Sequence, residues 1–309
     1  MPQEINEAFI AAIMERLYHQ RPSHVERLGG GVNMHVYAAS FGDTQEDRVI
    51  KLAGEGRWKP WAILDEEAAM RALREQGILE VPEIEYTQED LGWSTVPFFT
   101  TRRIQPGVMI ETQLGPDDPE AERIWRQAGA LRARFGQVDW QCTTRTLTPR
   151  QAAEQILRFA AGVEKDLAQL PDYQGVFEGL IAAIRKLALA QGEFFGQGDA
   201  AEVLTAGNDN LALVDFSGFV GAHRRLRELG EINGRLRWRY QGDPRVADWH
   251  EQGFFGGEAI TSEMRQELTL WGIYSLVSGV GWMTHVGWIA ERDSQLAYAR
   301  QWLQTERPI

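Results

Sequence analysis

Leu28-Gly29-Gly30-Gly31-Val32-Asn33-Met34-His35-Val36-Tyr37 is followed by Arg48-Val49-Ile50-Lys51-Leu52, and then by Asp65-Glu66-Glu67-Ala68-Ala69-Met70-Arg71-Ala72-Leu73. The first run places glycines between two extended segments, where backbone N–H groups can approach a phosphate with no Cβ in the way. The second is a short apolar strand, and an inward-facing lysine there can bridge two phosphates if a carboxylate holds it. The third has helical spacing, with Ala68, Ala69, Ala72 and Leu73 as its small or apolar face. It supplies the carboxylate in Glu66 or Glu67. Glu67 is preferred, because it stands six residues before Leu73 in a Glu-Ala-Ala-x-x-x-Leu pattern. Singly, each feature has an ordinary explanation: hairpin glycines, a solvated strand-end lysine, a surface helix charge. In this order and at this spacing they argue together for a phosphate-binding site.

Outward from these runs, Val81 to Tyr86 and Pro97 to Ile104 read as further strands, rich in β-branched and aromatic residues. After Gln105-Pro106-Gly107 the pattern turns helical, over Glu120 to Phe135, Arg150 to Gln169 and Val176 to Ala190. One extended hairpin interrupts it, Glu202 to Phe216, with Gly207-Asn208-Asp209-Asn210 as its turn. Asp209 is explained by that turn and is set aside as a catalytic residue. The remainder is helical. The division is therefore an amino-terminal lobe over 1–105 and a helical lobe over 106–309.

The length suits two lobes, and a chain 43 % hydrophobic and 25 % charged has no disordered character. Its net charge of −12 repels nucleic-acid phosphates and anionic membranes, and favours a cationic small molecule. Cys142 is the one cysteine, which excludes an intramolecular disulfide and a cysteine zinc site. His35, His250 and His285 have no ligand spacing with one another. The amphipathic start, Ile5 to Tyr18, is no signal peptide, so a cytoplasmic location is expected. Leu268 to Ala290 carries no formal charge and approaches membrane-spanning length. Glu267 and Glu291 flank it, and four glycines lie within it, so a buried helix or helix pair is expected. Trp238, Tyr240, Trp249, Phe254 and Phe255, with Asp243, Asp248 and Glu251, either pack a core or line a cleft for a cationic or sugar ligand.

From the glycine loop to at least Phe219 the chain resembles the aminoglycoside phosphotransferase and choline kinase-like family, relatives of the protein kinases. Arg48-Val49-Ile50-Lys51-Leu52 is similar to the lysine-bearing strand of kinases. Phe98-Phe99-Thr100-Thr101-Arg102-Arg103-Ile104-Gln105-Pro106-Gly107 resembles the interlobe hinge. Gln197-Gly198-Asp199-Ala200-Ala201-Glu202 and Leu213-Val214-Asp215-Phe216 resemble the catalytic loop and the metal-binding strand.

The resemblance implies an α+β, two-lobed protein-kinase-like fold with a small β-rich N-lobe and a larger helical C-lobe. It implies an ATP-dependent phosphotransferase acting on a hydroxyl of a small molecule, an amino sugar or another cationic metabolite. Gly29, Gly30 and Gly31 would cover the phosphates, Lys51 and Glu67 would hold them, and Arg102 to Ile104 would hold the adenine. Asp199 would be the catalytic base, with Asp215 and Glu202 on Mg2+. The chain departs from the pattern in Gln197, which replaces a histidine, and in a loop about two residues short that lacks the asparagine metal ligand. His223-Arg224-Arg225-Leu226-Arg227-Glu228 is basic where the family is rich in aspartate. These departures leave a catalytically degenerate, kinase-like binding or regulatory protein as the alternative.

Overall fold

The structure is a computed structural model that describes residues 5–28, 34–42, 46–53, 61–92, 96–138, 148–189, 194–196, 203–206, 210–214, 221–223 and 225–306. It is mixed α+β and divides into two units. One contains Met1–Met109 and Leu204–Gly218; the other contains Ile110–Asp139, Thr146–Val203 and Phe219–Ile309.

The first unit is built on a five-stranded antiparallel sheet: β1 (His24–Arg27), β2 (Met34–Ser40), β3 (Arg48–Ala53), β4 (Ile84–Thr87) and β5 (Phe98–Arg102). Their spatial order is β1-β2-β3-β5-β4. Helix α1 (Glu7–Tyr18) opens on Asn6, whose side chain accepts from the Phe9 N–H. Its buried residues Ile10, Ile13, Met14 and Leu17 follow helical spacing and pack on Tyr37, Ile50, Leu52 and Phe98 of the sheet. Helix α2 (Trp61–Glu75) packs on β3, β4 and β5. It begins four residues before the expected Asp65.

After the cis Gln105–Pro106 bond comes a strand not expected from the sequence, β6 (Pro106–Met109), at the edge of a three-stranded sheet ordered β6-β8-β9. Its partner β8 (Val203–Ala206) and the next strand, β9 (Asn210–Leu213), are the arms of the expected hairpin. Gly107 has φ +64°, and a Cβ there would strike the Ile104 carbonyl oxygen, so the bend requires glycine.

The second unit is helical: α3 (Ile110–Gln113), α4 (Ala121–Phe135), α5 (Pro149–Leu167), α6 (Glu178–Leu189), α7 (Arg225–Arg239), α8 (Arg245–Phe255), α9 (Ser262–Ser278), α10 (Val280–Val286) and α11 (Ile289–Glu306). Thr148 and Gln151 form a capping box at the start of α5. The short strands β7 (Phe194–Gly196) and β10 (Gly221–His223) pair antiparallel. The uncharged stretch Leu268 to Ala290 is divided at Gly279 and Gly287 into the end of α9, all of α10 and the start of α11. Among the described residues no helix is long and apolar enough to cross a membrane.

Candidate functional site

Side chains alternate across a strand, so the two neighbours of an outward residue both point inward. In β3, Ile50 and Leu52 join the cluster under α1, which sends Lys51 to the opposite face, toward α2. There its Nζ lies 2.9 Å from Glu66 Oε1 and 2.8 Å from Oε2. Both residues are enclosed, with Lys51 at 9 % exposure and Glu66 at 1 %.

The pairing preferred from the sequence, Lys51 with Glu67, is therefore corrected to Lys51 with Glu66. Ile63, Glu66, Met70 and Leu73 follow i, i+3, i+7, i+10 spacing, and all four are buried on the face of α2 that meets the sheet. Glu67 lies one position further round, where it accepts from Arg71 Nε at 3.0 Å in an i,i+4 pair. The stripe was present in the sequence. The alanines beside it make a rival small face, and Ile63 stands before the expected helix start.

A single buried ion pair adds little net stability, since desolvation of both charges offsets most of their attraction. What the pair does provide is a cation fixed at one place with little freedom left to lose. The charge and rigidity of that cation fit a polyphosphate substrate.

Of the expected hinge residues, Arg102 closes β5 opposite Arg48, and its exposed guanidinium pairs with Glu46 and Glu85. Ile104 lies half-buried in the connection from β5 to β6. Glu85 is also the centre of a cluster that ties α1 to the sheet. It accepts from Tyr18 Oη at 2.7 Å and lies 2.6 Å from Arg48 Nε.

Strand β9, which runs toward Asp215, is anchored by the Leu213 N–H donating to the Glu80 carbonyl at 2.9 Å. Gly29, Gly30, Gly31, Asp199, Glu202 and Asp215 lie outside the described residues. Among the described residues no group of three or more histidines, cysteines or acids is placed to hold a metal ion. Within the second unit β7 leads directly to Gln197-Gly198-Asp199, and it packs against α4 and α7.

The aromatic residues singled out in 238–255 divide. Phe254 and Phe255 pack the core with Leu226, Leu229 and Leu268, as the blander expectation had it. The Tyr240 hydroxyl donates to backbone carbonyls of Glu111 and Leu114. Trp238 lines a cavity.

A family model described as "Phosphotransferase enzyme family" matches residues 24–203, more than half of the chain. No curated protein sequence matches it significantly. Among solved structures, the chain is similar to a spectinomycin phosphotransferase bound to AMP, at 14 % identity over 95 % of this chain and 96 % of that one, with a TM-score of 0.66. It is similar to a macrolide 2'-phosphotransferase from Brachybacterium faecium, at 14 % identity, 94 % and 97 % coverage and a TM-score of 0.61. A Plasmodium vivax ethanolamine kinase matches at 11 % identity, 89 % and 82 % coverage and a TM-score of 0.57. At these identities the likeness is one of fold: the two-lobed, protein-kinase-like phosphotransferase fold.

Proposed function

Since the chain belongs to the phosphotransferase enzyme family, we propose that it transfers the γ-phosphoryl group of ATP to a hydroxyl of a small molecule. The observation that carries this is the buried Lys51–Glu66 pair, inside the matched segment and on the face of β3 opposite the core cluster under α1. Lys51 takes the α and β phosphates, and Glu66 holds its ammonium in place. Gly29, Gly30 and Gly31 offer backbone N–H groups to the phosphates, and the backbone of Arg102 to Ile104 receives the adenine. Asp199 orients the acceptor hydroxyl and accepts its proton. The acceptor oxygen bonds to the γ-phosphorus as the bond from that phosphorus to the β–γ bridging oxygen breaks. Phosphorylated acceptor, ADP and one proton result.

Asp215 and Glu202 are the oxygen donors suited to Mg2+, a hard cation. When bound, Mg2+ neutralises charge on the β and γ phosphates. The net charge of −12 draws cations from solution, which on charge alone favours an amino sugar or another cationic metabolite as acceptor.

The test combines binding and turnover. ATP with Mg2+ raises the thermal midpoint of wild type, since a ligand at one hundred times its Kd adds roughly 2.7 kcal/mol. Asp199→Asn keeps that rise and loses ADP formation in the presence of an acceptor. Equal phosphoryl transfer by Asp199→Asn overturns the assignment. A nucleotide-induced rise with no transfer to any acceptor returns the degenerate, binding-only alternative.

A further inference from the structure

The second unit has a solvent-open cavity of about 520 Å³ among α3, α5, α7, α9, α10 and α11. That volume lies within the roughly 300–1,000 Å³ of small-molecule sites. Helix α7 crosses both the cavity and β7, and α5 crosses both the cavity and β10. Two of the cavity's helices thus also pack on the strand pair from which the chain runs on into Gln197-Gly198-Asp199.

Its charged lining is Arg227, Arg235 and Arg239 against Glu111, Glu231 and Glu291, three of each sign and a formal sum of zero. The charges are largely arranged in pairs. Arg227 Nε is 2.9 Å from Glu231, one turn along α7, and Arg239 Nη1 is 3.2 Å from Glu111. The acidic excess of the protein is thus not placed here. A cation entering the cavity would meet as many arginines as glutamates and gain little over water.

Two uncharged features point to a ligand. Tyr274, only 3 % exposed, lines the cavity, and its buried hydroxyl has no hydrogen-bond partner. Leaving a buried hydroxyl unpaired costs on the order of 1–3 kcal/mol, which a ligand's hydroxyl or ether oxygen would recover. On the walls, Phe159 and Trp282 are about half exposed, an unusual state for rings of that size. Trp282 is held by Trp288 edge-on, with ring centroids 4.8 Å apart. A fixed aromatic face beside polar pairs matches the two sides of a sugar ring, apolar C–H on its faces and hydroxyls at its rim.

We infer that this cavity is the acceptor site and that the acceptor is an uncharged, polyhydroxylated ring, a sugar or cyclitol, rather than a cationic amino sugar. The inference rests on the phosphotransferase reading above and replaces the acceptor class suggested by net charge.

The experiment offers wild-type protein, with ATP and Mg2+, a series of neutral sugars and cyclitols beside their amino and phosphorylated counterparts. Product mass and ADP release are the readouts. Neutral compounds should exceed their charged counterparts in kcat/KM by about tenfold or more; the opposite order overturns the inference. Tyr274→Phe should raise the acceptor KM about tenfold, the worth of one hydrogen bond, with little change in kcat. It should leave the ligand-free thermal midpoint unchanged or higher, because it deletes an unpaired hydroxyl. An unchanged KM, or a lowered midpoint, counts against the site. If ATP gives no stabilisation, the phosphotransferase reading fails separately. Calorimetric titration of the ATP-free protein with the same neutral series, wild type against Tyr274→Phe, then decides the cavity by itself.

Discussion

Lys51 and Glu66 are a lysine and a carboxylate that retain almost no water, and each depends on the other to be tolerated there. Removing one partner of such a pair leaves an uncompensated buried charge, at a cost of about 3–5 kcal/mol. Glu66→Gln should therefore lower stability by about 3 kcal/mol and weaken ATP stabilisation of what remains folded. Glu67→Gln acts on a pair whose arginine is half exposed, worth about 0.5 kcal/mol, and should leave both properties near wild type. Denaturant titrations with and without ATP distinguish the two. The reverse pattern would restore Glu67 as the lysine's partner. The nearness of these two carboxylates in sequence is why the choice was not settled there. They differ by one step round a helix, and which one faces the sheet depends on where the helix begins.

At the scale of elements, the helical unit is held by two close crossings, α4 on α8 and α7 on α9. Glycines permit both. A Cβ on Gly129 would strike the His250 carbonyl oxygen, and one on Gly234 would strike the Gly272 carbonyl oxygen. Backbone cannot yield as a side-chain end can, so Gly234→Ala should destabilise by about 1–3 kcal/mol. Gly162, within α5, has no atom within 4 Å of the Cβ position. Gly162→Ala should stabilise by about 0.5–1 kcal/mol through helix propensity. Thermal midpoints that move in the same direction for both variants would refute this account of the crossings. Composition alone does not separate these glycines, since both stand inside helices. Strands β6, β7 and β10 escaped the sequence for a related reason. Pro106 and Gly107 read as a hinge, and are tolerated in β6 because it is an edge strand. Strands β7 and β10 are three residues each, too short to show a period, and exist by pairing with each other across 24 intervening residues.

For the whole molecule, the ledger of buried charge sets how stability responds to pH. His250 is fully enclosed beside Trp125, its Nδ1 is 3.3 Å from Asn233 Oδ1, and Arg132 adds positive potential. Burial chiefly, and then Arg132, lower its pKa from 6.5 to about 3. The folded state therefore keeps His250 neutral, and the stability it confers above pH 6.5 is lost as pH falls from 6.5 toward 3. Glu228 runs the other way. Burial raises its pKa from 4.5 to about 7 despite Arg132 at 2.7 Å, so its contribution is full below pH 4.5 and is lost as pH rises to 7. Between about 4.5 and 6.5 the two slopes oppose. His250→Gln removes one of them, and the stability gap between variant and wild type should change by about 1.4 kcal/mol per pH unit below 6.5. A gap independent of pH would show that His250 does not titrate this way.

The succession of elements that identifies the fold is legible in the residues: a glycine turn, a lysine strand, an acidic helix, and a hairpin ending in Leu213-Val214-Asp215-Phe216, set before and among helices. Those signals are local, carried by periods of 2 and 3.6 and by turn residues, and survive without knowledge of the partners. It took the packing of the elements to show that Glu66 holds Lys51, that Trp238 reaches a cavity while Phe254 and Phe255 pack a core, and that three arginines of α7 meet one glutamate each from α3, α7 and α11 around an unpaired tyrosine hydroxyl. Each of those is a relation between residues on different elements, set by which faces pack together, and no local period records it.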